Sequence, residues 1–151
     1  MDSGDVPTRA REVMTMHSIE DQLILHEGLR LKPYRCTAGK LTIGVGRNLE
    51  DKGISHDEAM MLLRNDIAEV TAQLERFDWF RALGPVRRKV LIDMAFNLGM
   101  GGLLGFQKMI EALERGDYER AADEMVNSRW YGQVGERGRR LERMMRTGED
   151  Y

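Results

Sequence analysis

Several things are scarce in this chain of 151 residues. There is one cysteine, Cys36. It has no partner for an internal disulfide, so the fold needs no oxidising compartment. The histidines are His17, His26 and His56, too scattered for an HxxxH or HExxH spacing, which removes the usual zinc patterns. No metal or cofactor is expected. No run approaches the roughly 18 apolar residues of a membrane span. The opening segment lacks the apolar stretch of a secretory signal, and none is expected. Formal charge is only -2, which argues against a dedicated nucleic-acid binder. The glycines from Gly44 to Gly46 are followed by Arg47-Asn48 rather than Lys-Ser/Thr, so they make no P-loop.

What remains has the composition of an ordinary globular domain, with 42% hydrophobic and 32% charged residues. Residues 1–8 are polar and are expected to fray, leaving 9–151 as one domain. A helical period develops from Arg9 and runs through Ile19, Leu23 and Ile24 towards Gly28. Glu27 then falls in the last turn, where the helix dipole disfavours negative charge. That setting suits an acid that gives up a proton. Over about 33–49, strand formers alternate with glycines, and Thr37 to Lys40 reads as a hairpin turn. The expectation is a two- or three-stranded antiparallel sheet.

Ser55 to Glu58 matches a capping box. The helix it opens carries Ala59, Leu62, Leu63, Ile67, Val70 and Leu74 on one stripe and is expected to reach about Phe77. Trp79, Phe80 and Leu83 are assigned to the core. Pro85 opens a central helix that the Gly99-Met100-Gly101-Gly102 turn should end. Shorter helices follow over about Phe106–Leu113, Asp117–Val126 and Glu136–Arg146. Met94, Met109, Met125, Met144 and Met145 fall at core spacings. The fold class is α+β: a small antiparallel sheet lobe joined by a long helix to a mainly helical lobe, with the ligand expected in a cleft. From Arg129 to Arg146, six arginines face two glutamates, a net +4. That segment is either a solvated helix face or a surface for a polyanion.

Glu27, Cys36 and Thr42 are polar residues that apolar packing does not explain. Glycoside cleavage needs an acid for the leaving oxygen and a second group to guide water or stabilise the cation-like centre. The spacing permits this without requiring it. A surface glutamate and a small buried thiol are the plain alternatives.

The segment from His26-Glu27 through Tyr34, Cys36, Gly39 and Thr42 to Gly44 and Gly46 resembles the catalytic segment of the phage-type lysozymes, the T4-like muramidases of glycoside hydrolase family 24. The resemblance continues through Arg87 to Asn97 and Gly99, Gly105-Phe106, Ala121-Ala122, Ser128 to Tyr131, Arg137 and Arg146 to Gly148, covering about 19–148. It implies hydrolysis of the β-1,4 bond between N-acetylmuramic acid and N-acetylglucosamine in peptidoglycan. It makes Glu27 the general acid and places Thr42 beside the attacking water. It also pairs Arg137 with Glu27 and puts Tyr34, Asn97, Phe106 and Gln133 at the substrate. An endolysin of this kind acts as a monomer without nucleic acid. It accumulates in the host cytoplasm and reaches the cell wall through a holin.

The chain departs from the family pattern twice. Cys36 stands where the family carries an aspartate, and Arg47 where it carries a histidine that pairs with a later acid. Cys36 can act as a thiolate base, as a neutral shape-filling thiol or as a covalent nucleophile. The corresponding alternatives to hydrolysis are a lytic transglycosylase releasing 1,6-anhydro products and a catalytically weak peptidoglycan-binding protein.

Overall fold

The computed structural model describes residues 16–151. The expected fraying of 1–8 and the start of the first helix at Arg9 lie outside the described residues. The chain divides into two compact units, one ending at Glu58 and one running from Ala59 to Tyr151.

In the first unit, helix α1 (Ile19–Glu27) starts where the Ser18 hydroxyl accepts a hydrogen bond from the Asp21 amide at 3.0 Å. It ends at Gly28, whose positive φ of 80° turns the chain out of the helix. Three antiparallel strands follow, β1 (Arg30–Arg35), β2 (Leu41–Gly44) and β3 (Arg47–Asn48), in the order β1-β2-β3. The sheet thus begins three residues earlier than expected. Pairing shifts register between Arg30 and Tyr34, where Pro33 has no amide to give to the ladder. A short helix α2 (Leu49–Lys52), capped by the Asn48 side chain, closes the lobe. Ion pairs among exposed side chains tie its edge: Arg35 with Glu50 at 3.2 Å and Lys40 with Asp51 at 3.2 Å.

Helix α3 (His56–Leu74) links the lobes. The capping box forms as expected. The Glu58 amide donates to Ser55 Oγ at 3.1 Å and the Ser55 amide to Glu58 Oε1 at 2.8 Å. The helix stops three residues short of Phe77, because Phe77 becomes the N-cap of α4 (Asp78–Arg81) and stacks on Trp79 at 5.1 Å. Of its apolar stripe only Leu74 is buried, while Leu62, Leu63 and Ile67 stay exposed.

The hydrophobic core lies in the helical lobe. Helix α5 (Pro85–Leu104) supplies Val90, Leu91, Met94, Ala95 and Leu103. It breaks at Gly99 alone (φ 76°, ψ 161°), and helical geometry resumes at Met100, so the glycine run is a kink and not the expected end. Helix α9 (Glu136–Thr147) packs on α5, α7 (Tyr118–Val126) packs on α9, and α6 (Gln107–Glu114) packs on α7. The five assigned methionines are all buried, as are Trp79, Phe80 and Leu83. Helix α8 (Arg129–Val134) was not legible as a period. It is a six-residue piece started by the Ser128 side chain and anchored by buried Trp130.

Three of the six arginines of the basic segment, Arg137, Arg139 and Arg146, are paired with acids. Arg146 bonds Glu119, Asp123 and Glu142, and Arg139 bonds Glu136. These contacts hold the Arg146 guanidinium above its ordinary pKa and the Glu136 carboxyl below its own. Glu136 and Glu142 are already counted in the net +4, so among these partners Glu119 and Asp123 offset half of it.

Candidate active site

Glu27 sits at the C-terminal end of α1, exposed. Its carboxylate lies directly on the backbone of Gly46, in the turn between β2 and β3. A methyl group built on Gly46 would stand 2.7 Å from Glu27 Oε2. Gly46 also has φ of +67°. Two constraints therefore select glycine there, a left-handed backbone and a carboxylate in place of a side chain.

Cys36 and Thr42 meet at the far end of the hairpin. The Cys36 amide donates to Lys40 O at 3.0 Å and the Gly39 amide to Cys36 O at 2.8 Å, closing the turn. The backbone at Lys40 and Ala38, with the Thr42 hydroxyl, favours the ionised sulfur and holds the Cys36 thiol below its ordinary pKa. Thr42 is the buried polar side chain of the described residues, 3% exposed. Its hydroxyl donates to Lys40 O at 2.8 Å. A hydroxyl has one proton, so Thr42 gives it either to that carbonyl or to the sulfur. Tyr34 stands opposite Thr42 across the β1–β2 ladder. Its ring is covered by the Arg30 guanidinium at 4.4 Å.

Arg47 has found a new acid. Its Nη1 donates to Glu58 Oε1 at 2.8 Å and to Gly53 O at 3.2 Å, and its Nη2 lies 2.8 Å from Glu58 Oε2. The fork-on-fork geometry suits arginine and not histidine. The Arg47 side chain, helped by Ser55, pulls the Glu58 carboxyl down to about 2.

The remaining expected site residues lie in the helical lobe. Asn97 Oδ1 accepts from Trp130 Nε1 at 2.9 Å, and Phe106 meets the same indole edge-on at 6.1 Å. Phe106 also lines a pocket of about 370 Å³ with Lys108, Glu124 and Ser128. Gln133 is exposed on α8. Arg137 bonds Asp93 through Nε at 2.8 Å and Nη2 at 2.7 Å. Asp93, Glu58 and the Gly46 seat were not anticipated. An acid inside the apolar run of α5 was the available signal for Asp93. Nothing local marked the Gly46 contact.

A family model described as phage lysozyme matches residues 25–147. The chain belongs to the phage lysozyme family. Its relatives include probable T4-type lysozyme 1 of Dictyostelium discoideum, 27% identical over 87% of this chain and 95% of that protein. An endolysin of Acyrthosiphon pisum secondary endosymbiont phage 1 is 35% identical over 74% of this chain and 79% of its own length. The pre-baseplate central spike protein Gp5 of Enterobacteria phage T4 is 28% identical over 96% of this chain, which spans 30% of that longer protein. As a phage lysozyme the chain is a glycoside hydrolase of the peptidoglycan-hydrolysing type. The two-lobe α+β architecture is that of the T4-type enzymes.

Proposed function

We propose that the chain is a muramidase that hydrolyses the β-1,4 bond between N-acetylmuramic acid and N-acetylglucosamine, with Glu27 as general acid. The observation that carries the assignment is the Glu27 carboxylate, exposed to a ligand and lying in the space that the absent side chain of Gly46 leaves open. Protonation of the leaving oxygen by a positioned carboxylic acid is the demanding step of this reaction. Thr42 and Cys36 are assigned to the attacking water, giving inversion. A thiol held below its ordinary pKa supports Cys36 in the role of the aspartate. Tyr34, Asn97, Phe106, Gln133 and Arg137 are assigned to substrate contact.

In this reading the protein serves host-cell lysis as a monomeric endolysin without nucleic acid, held in the cytoplasm until a holin admits it to the wall. The similarity to a baseplate spike protein favours, as the second reading, a lysozyme module carried in the virion. The test of the acid is Glu27→Gln. Folded E27Q protein should fail to clear outer-membrane-stripped cells that wild type clears, and wild-type clearing by E27Q refutes the assignment. Mass spectrometry of the products separates hydrolysis from release of 1,6-anhydro sugars, which are lighter by one water.

A further inference from the structure

We infer that Arg47 is a positioning residue for the general acid, acting through the turn that seats Glu27. The inference rests on the muramidase reading and adds a residue to it. The turn between β2 and β3 is only Val45-Gly46, and β3 itself is two residues long, paired through Thr42 with Asn48 and Ile43 with Arg47. So short a strand has little ladder to hold its register. Arg47, the next residue after Gly46, supplies what the ladder lacks. Its guanidinium is tied to both oxygens of Glu58 and to the carbonyl of Gly53.

Glu58 is in turn fixed at the start of α3 by its capping box with Ser55. A continuous chain of contacts thus runs from the N-terminus of α3 through Glu58 and Arg47 to Gly46, and from Gly46 to the carboxylate of Glu27. The Arg47 side chain is 28% exposed, so the pair is partly shielded from water and its two-point geometry restrains rotation as well as distance. Loosening Arg47 lets Gly46 drift from the carboxylate, and the acid then samples orientations that miss the leaving oxygen. A misplacement of about 1 Å at a reacting group costs on the order of 100-fold in rate.

The test compares Arg47→Ala, Arg47→Lys and Glu58→Gln with wild type on purified peptidoglycan, at a temperature where each is folded by circular dichroism. R47A should lower kcat by roughly tenfold or more while KM stays within about twofold. R47K should regain thermal stability but not kcat, because a single ammonium cannot reproduce the fork. A purely structural role would lower Tm in R47A and leave kcat of the folded protein unchanged, and that result overturns the inference. If R47A does not fold, E58Q and R47K carry the same comparison. The second readout is independent of activity: the carbon-13 signal of the Glu27 carboxyl and the amide signal of Gly46. Both should shift or broaden in R47A, or in R47K and E58Q if R47A does not fold. Unmoved signals refute the positioning role, whereas a wild type that cleaves nothing refutes the muramidase reading and leaves the signals to decide this one.

Discussion

Gly46→Ala separates the two reasons for glycine at the acid's seat. The first is conformational. An L-residue forced to φ of +67° costs about 1–2 kcal/mol. For a chain of this size that lowers Tm by about 2–8 °C. The second is steric. The new methyl would lie 2.7 Å from Glu27 Oε2 and 3.2 Å from the carboxyl carbon, whereas carbon and oxygen in contact sit at about 3.3–3.6 Å. The carboxylate must retreat by about 0.5–1 Å, which costs on the order of 10–100-fold in rate. Gly44→Ala is the control. Its φ is +70°, and a methyl there meets nothing within 4 Å. Both variants should lose similar stability in thermal melts, and only G46A should lose most of its kcat on peptidoglycan. Equal activities in the two folded variants would refute the claim that Gly46 seats the acid.

Glu58→Gln tests the ion pair through pH. The folded carboxyl titrates at about 2, below the ordinary range. Its contribution is therefore complete above that range and is lost as pH falls towards about 2. The Tm gap between wild type and E58Q should shrink across that window, and a gap constant from neutral pH to about 2 contradicts the pairing. Cys36→Asp should keep or raise activity, and Cys36→Ala should lower it if the thiolate serves as base but spare it if the thiol only fills space. Alkylation of Cys36, followed by mass spectrometry, should reach half its limiting rate below the pH of a free thiol. Asn97→Leu strands the Trp130 indole N–H, which Asn97 Oδ1 accepts at 2.9 Å. The expected loss is about 1–3 kcal/mol, read by denaturant melts, and unchanged stability would mean the indole finds another acceptor.

What was legible depended on how far apart in sequence the partners lie. The capping box spans three residues and formed as read. The buried methionines of α5, α6, α7 and α9 follow a 3.6 period that needs no partner to be seen. Apolar period alone did not mark where α3 stops, because the end is set by Phe77 turning to stack on Trp79. Nor did it mark α8, whose six residues complete fewer than two turns. The basic segment looked like a charged surface because its acids Glu119 and Asp123 stand 27 and 23 residues before Arg146.

By itself the sequence determined the α+β order of elements, the family, and which residues could carry the chemistry. These rest on local periodicity, caps, turns and ordered motifs, all written along the chain. Only the tertiary structure decided what each of those residues touches. Arg47 pairs with Glu58 across 11 residues, Arg137 with Asp93 across 44 and Asn97 with Trp130 across 33. Glu27 rests on Gly46, a contact that exists because one residue has no side chain. Hydrogen bonds and close approaches depend on angstroms between folded segments, and a missing atom leaves no period to read.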